Sequence, residues 1–294
     1  MRNEYEEAEG RYEEALPLYE AIGDRLGQAN TGAFNGWGDI MDQFKALAQQ
    51  FLTDDMVAVT LMGSHARGEA QHYSDIDLVC FVRSATTPEP DTHYVDRQLV
   101  VVSYVTTEQT EAWFTEPKQV VEVMRNLQQA KPLIDRTGTF AQLQQRAQEF
   151  QWTPAHQRKA DAYAANQMIE LIEEVHKGLN GLTQYHVGRL INASHGLAWG
   201  LTYAALVQKG VLASGDNGLL ADAQTAMGRD SEWSQEQRRA FGIGSSLTDA
   251  VSLVEQTKAS LRLYRLTYAM LQSVCKPGDC ALIEKTISLA MPHL

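Results

Sequence analysis

Two aspartates, Asp75 and Asp77, stand two residues apart in the stretch Ser74-Asp75-Ile76-Asp77-Leu78-Val79. Alternate residues of a strand share a face, so the two carboxylates are expected to project together while Ile76 points the other way. A hard divalent cation such as magnesium suits such a pair. It prefers oxygen ligands, keeps several waters and is commonly shared with substrate phosphates. Just upstream, Leu61-Met62-Gly63-Ser64-His65-Ala66-Arg67-Gly68 reads as a turn from an apolar strand into a helix. Backbone N–H groups at Gly63 and Ser64 can face an anion there. One half of the motif therefore reads as a metal site and the other as a phosphate site. Arg67, one turn into the helix, can reach phosphate or pair with Glu69 or Asp75. His65 and His72 read as surface imidazoles beside an acidic site rather than as ligands.

A rigid frame is needed to hold these groups. Apolar strands are expected at 56–62 and 75–82, with a hairpin of 93–95 and 98–105 around Asp96-Arg97. A helix over 107–129, broken near Pro117, leads to a short strand at 131–134 and a helix at 139–150. Strands alternating with helices give an α/β sheet. After Thr153-Pro154, a cap followed by a proline at the first helical position, the pattern is helical to the end. Helical segments fall near 155–179, 184–209, 217–227, 234–240, 246–272 and 278–290, which is a helical bundle. The expected fold is thus α/β plus all-α, divided as 1–34, 35–150 and 151–294.

The 294 residues carry a formal charge of −12 and an ordinary 44% of apolar residues. Proteins that hold long nucleic acids usually show a basic footprint, and none is visible, so no long nucleic acid is expected as partner. A nucleoside triphosphate needs only a few local cations and magnesium. A small cationic acceptor is favoured by an acidic field. Three cysteines, Cys80, Cys275 and Cys280, lack metal-ligand spacing and argue against a disulfide framework. The charged start and the lack of an apolar run near ~20 residues give no membrane segment and a cytoplasmic reading.

Gly63, Ser64, Arg67, Gly68, Ser74, Asp75 and Asp77 together resemble the signature of the DNA polymerase β-like nucleotidyltransferase superfamily. The resemblance implies a small mixed-sheet catalytic domain and transfer of a nucleoside monophosphate, AMP from ATP, to a hydroxyl group with release of pyrophosphate. It assigns Mg2+ to Asp75 and Asp77, and nucleotide contacts to Gly63, Ser64 and Arg67. Residues 56–150 weakly resemble lincosamide and aminoglycoside nucleotidyltransferases, with Lys131-Pro132-Leu133-Ile134-Asp135-Arg136-Thr137-Gly138 similar to a strand and turn of that group. This implies a small-molecule hydroxyl acceptor, an antibiotic being one kind.

The superfamily often adds a third carboxylate on the strand after the hairpin. Here that strand, Gln98-Leu99-Val100-Val101-Val102-Ser103-Tyr104, has none. Kanamycin-type enzymes take a base glutamate and a phosphate-binding lysine from one helix of their second domain. Glu173 and Lys177 are similar in spacing, with Glu174 and Glu170 beside them. Glu173 or Glu174 is therefore the expected base and Lys177 the expected phosphate contact. The alternative is a solvated ion pair four residues apart.

Arg189 and His195 resemble the ribonuclease motif of HEPN domains, although packing of His195 within the bundle reads better. Residues 8–30 resemble one tetratricopeptide unit, which cannot bury its face alone; a homodimer contact is one reading of it. Two other functions stay open. One is protein adenylylation of the toxin–antitoxin type, and the other is a non-catalytic nucleotide-binding or interaction protein.

Overall fold

The computed structural model describes residues 37–84, 87–244 and 250–294. The tetratricopeptide-like segment 1–34 lies outside them. The chain forms two compact units. One holds the described residues up to Glu111 together with Asn126–Phe150, and the other holds Ala112–Arg125 and Gln151–Leu294.

The first unit begins with helix α1 (Trp37–Gln50), followed by strand β1 (Met56–Met62) and the short helix α2 (Gly63–Arg67). Strands β2 (Ile76–Val82), β3 (Asp91–Val95) and β4 (Gln98–Thr106) come next. The five-stranded sheet has the order β3-β4-β2-β1-β5, where β5 is Lys131–Asp135. β2 and β4 run parallel and every other pair is antiparallel. β1 is buried along its whole length, as a strand flanked on both edges requires. β3 and β4 join through Asp96 and Arg97, both with positive φ (47° and 67°); two such residues in a two-residue loop match the twist of a hairpin.

The two faces of the sheet differ. Ile76, Leu78, Cys80 and Val82 of β2, with Val100 and Val102 of β4, pack with Phe44, Leu47 and Ala48 of α1 in one apolar cluster. The opposite face carries Phe81, which meets Phe140 of the later helix Thr139–Gln148 with ring centroids 5.5 Å apart. The Asp77 end of that face lies nearer to solvent.

The expected helix over 107–129 is in pieces: a 3-10 turn at Gln109–Glu111, α3 (Ala112–Thr115) and α4 (Pro117–Gln129). The sequence division placed 112–125 with the sheet, whereas the structure groups it with the helices. The reason is packing. Val121 belongs to the helical core with Met168, Leu197 and Tyr264, its carbonyl accepts from Ala213 N at 2.8 Å, and Lys118 Nζ lies 5.7 Å from the Tyr203 ring centre. Helix α5 (Thr139–Gln148) follows β5. Gly138, at φ +72°, turns the chain into α5, and Asp135 Oδ2 accepts from Ala141 N at 3.0 Å in its first turn.

The second unit continues with α6 (Pro154–Glu170), α7 (Ile172–Gln184), α8 (Val187–Lys209), α9 (Leu219–Met227), α10 (Glu232–Ala240), α11 (Leu253–Leu271) and α12 (Pro277–Ala290). Thr153 caps α6 in a reciprocal box with His156. The segment 155–179, read from sequence as continuous, breaks at Leu171, whose backbone caps α6 and opens α7. α8 is the buried centre of this unit, with Leu197, Ala198, Leu201, Ala204 and Ala205 fully covered. Glycines let its neighbours come close. At Gly181 of α7 an added Cβ would sit 3.0 Å from both the Leu190 side chain and the Leu190 backbone nitrogen. Among the described residues no helix is long and apolar enough to cross a membrane.

Candidate active site

β1 ends at Met62, and the chain turns at once into α2. Gly63 takes φ +65°, a left-handed conformation that costs glycine little. The pairing register puts Met62 opposite Asp77, which brings the Asp77 carboxylate over the turn. A Cβ on Gly63 would lie 1.8 Å from Asp77 Oδ2. The two halves of the sequence motif, read separately as phosphate turn and metal strand, are therefore in van der Waals contact. Gly68, at φ +72°, ends α2, with Glu69 N donating to Ser64 O at 2.9 Å. Ser64, Asp75 and Asp77 are all partly exposed.

Asp75 departs from the expected placement. β2 starts at Ile76, so Asp75 is the residue that leads into the strand. Ser74 beside it is held in a turn, its Oγ accepting from Gln71 N at 2.8 Å. Of the two histidines, His65 differs from expectation, whereas His72 is partly exposed. His65 is buried and packs edge-on against Phe44 with centroids 5.4 Å apart. His72 packs edge-on against Tyr73 at 4.4 Å. For Arg67 the structure shows a brace. Its Nε donates to Glu69 Oε2 at 2.6 Å and its Nη1 to Asn126 Oδ1 at 3.0 Å, with only 14% of the side chain exposed. Asn126 had no signal in the sequence.

The missing carboxylate has a definite address. Parallel pairing of β2 and β4 sets Asp77 beside Val101, and β3 sets Thr92 beside Val101 in turn. Residues paired across strands point to the same face. Met62, Asp77, Val101 and Thr92 thus form a row across the sheet. One step toward the open end, Leu99 pairs with Tyr94. Leu99 and Val101 are partly exposed, and Tyr94 is 78% exposed. This apolar strip beside Asp77 could not be read from spacing, because only the register reveals it. Among the described residues no three His, Cys, Asp or Glu side chains gather as a metal set.

Glu173, Glu174 and Lys177 belong to α7 of the second unit and contact one another. Lys177 Nζ lies 2.7 Å from Glu174 Oε1 and 3.3 Å from Glu173 Oε1. The hydrogen bond to Glu174, and after it the one to Glu173, holds the Lys177 ammonium above the ordinary lysine value despite some desolvation. Glu173 is 78% exposed. The Glu174 carboxylate is tucked toward Gly196 of α8, where a Cβ would meet its Oε2 at 3.2 Å. Glu170 ends α6 and takes hydrogen bonds from Asn166 and Gln167. Arg189 donates to Gln184 Oε1 at 2.6 Å, and His195 is exposed rather than packed within the bundle. The two lie six residues apart on α8 and so on different faces.

Residues 40–133 match the family model described as a nucleotidyltransferase domain. A protein of Methanocaldococcus jannaschii provisionally named a protein adenylyltransferase is 36% identical over 63 residues, which is 21% of this chain. The chain spans 43% of that relative's length. A solved nucleotidyltransferase-like protein of Exiguobacterium sibiricum aligns with 80% of this chain and 73% of its own, at 12% identity and a TM-score of 0.44.

Proposed function

We propose that the segment 40–133, which matches the nucleotidyltransferase domain model, transfers AMP from ATP to a hydroxyl group of a small molecule and releases pyrophosphate. The observation that carries this reading is the contact between the Asp77 carboxylate and the Gly63 turn. It brings a carboxylate suited to a cation beside a glycine turn suited to phosphate, which supports binding of a nucleoside triphosphate. Two carboxylates, Asp75 and Asp77, fit one magnesium ion that keeps waters and takes its other oxygens from phosphate. Such an ion, when bound, neutralises phosphate charge. With Val101 in the neighbouring position, no third carboxylate joins Asp75 and Asp77 among the described residues.

The other roles fall to this chain's own groups. Ser64 Oγ and the backbone N–H groups of the turn hold the terminal phosphates. Arg67 fixes the turn through Glu69 and Asn126. Glu173 is assigned as the base that takes the acceptor's proton. It is solvent-facing, and Lys177 Nζ lies 3.3 Å from its Oε1. Lys177 also adds positive charge for phosphate.

The test is pyrophosphate release from ATP and magnesium across a panel of hydroxyl acceptors. Asp75→Asn and Asp77→Asn should each abolish it with the fold intact by circular dichroism. Glu173→Gln should lower kcat by roughly 10²–10⁴-fold, the usual contribution of a positioned base, with nucleotide affinity unchanged. Near-normal turnover in either aspartate variant ends the assignment.

A protein hydroxyl as acceptor is the second reading, favoured by the name of the Methanocaldococcus relative. ATP labelled at the α-phosphate separates the two, since the label enters the protein fraction in one case and the small-molecule fraction in the other.

A further inference from the structure

Resting on the nucleotidyl-transfer reading above, the direction of the reaction across the sheet can be worked out from the strand order. The leaving pyrophosphate belongs at Gly63 and Ser64, at the end of β1. Asp77, on β2, marks the reacting phosphorus. In-line displacement puts the attacking and leaving oxygens on opposite sides of that phosphorus. The attacking hydroxyl must then approach from the side away from β1, over β4 and β3. The acceptor oxygen forms a bond to the α-phosphorus, the bond from that phosphorus to the bridging oxygen breaks, pyrophosphate departs, and the hydroxyl proton passes to the base.

The surface met on that side is unusual for an acidic protein. The side chains sharing the face of Asp77 are Leu99, Val101 and Ser103 on β4 and Thr92 and Tyr94 on β3, by register. None carries a charge. Leu99 and Val101 form a partly exposed apolar floor. Tyr94, 78% exposed, stands at its rim, two strands from the aspartates. A large exposed aromatic side chain next to an apolar floor offers a face for a ring or alkyl group and a phenolic edge for a hydroxyl.

We propose that Leu99, Val101 and Tyr94 seat the acceptor, and that the acceptor is a hydroxyl compound with an apolar or ring face and at most a single positive charge, not a polycation. The acidic total charge alone would suggest the opposite, but the local surface decides what can lie within reach of the reacting phosphorus. Val101, in this light, occupies the place of a third carboxylate with a surface for the acceptor to lie on.

Two probes separate the classes. Lincomycin has one sugar ring, an alkyl group and one basic amine, and kanamycin is a polycation. Each is titrated calorimetrically into the full chain loaded with magnesium and the non-reactive analogue α,β-methylene-ATP. Lincomycin should bind more tightly than kanamycin. Tyr94→Ala should weaken lincomycin by about tenfold or more, from loss of ring contact and buried area. Tyr94→Phe should retain it, and both variants should bind the analogue as the wild type does. Tighter binding of kanamycin, unchanged lincomycin affinity in Tyr94→Ala, or no lincomycin binding to the loaded protein would each overturn the proposal. Failure of the analogue itself to bind with magnesium would remove the nucleotidyl-transfer reading, and this one with it.

Discussion

Gly63 is held by two independent constraints, a positive φ and the Asp77 carboxylate in the space a side chain would need. Gly63→Ala should therefore cost about 1–3 kcal/mol from backbone strain and displace Asp77 as well. The expected outcome is a lower thermal midpoint together with loss of pyrophosphate release, measured on the same preparation. A stable variant with full turnover would mean that the turn and the carboxylate do not act as one unit. Cys80 makes a different residue-scale prediction. Burial in β2 raises its thiol from an ordinary 9.0 to about 12, so the folded state holds this proton more tightly than the unfolded chain does. That contribution is complete below pH 9 and is lost as the pH rises from 9 toward 12. Cys80→Ala should make the alkaline decline of the thermal midpoint shallower over this range, and an identical slope in the two proteins would refute it.

At the scale of elements, the register between β2 and β4 decides what stands beside Asp77. Val101→Asp puts a carboxylate there. With a chelator present, the like charges across the strands should lower the thermal midpoint. With excess magnesium, the variant should gain more than the wild type does. Equal magnesium shifts in the two proteins would place the cation elsewhere. Much of this frame was legible in the sequence. The strands, the Asp96-Arg97 hairpin, the Thr153 cap and the Gly-Ser turn announce themselves through local chemistry, which acts over a few residues. What stayed hidden depends on partners distant in the chain. His65 is buried because Phe44 of α1 lies against it. Arg67 braces Asn126, 59 positions away. Ala112–Arg125 joins the helices because Val121 finds its core there. The helix break at Leu171 carries neither proline nor glycine, so nothing local marks it. The roles of Glu173, Glu174 and Lys177 rest on spacing and on their mutual ion pairs, and the activity of Glu173→Gln is what decides them.

At the scale of the whole molecule, a formal charge of −12 opposes any polyanion. Neither duplex DNA nor single-stranded RNA should shift in a gel assay at near-physiological salt, and a shift that weakens steeply with added salt would contradict this. The order of the sheet carries a further consequence, for how the chain assembles itself. β3 and β4 meet through a two-residue loop, so their ladder closes locally and can form in about 1–10 μs, the usual time for a hairpin. β4 must then dock alongside β2, with β3 already on its far edge. This parallel pairing gains no help from a tight turn and is the slower step. A docking slip of one residue would turn Val100 and Val102 outward and Val101 inward. The surface beside Asp77 is thus absent from the early chain and arrives whole, as one prefabricated hairpin. In pulsed hydrogen exchange during refolding, amides shared by β3 and β4 should gain protection before those shared by β2 and β4, and catalytic competence should appear only with the second group.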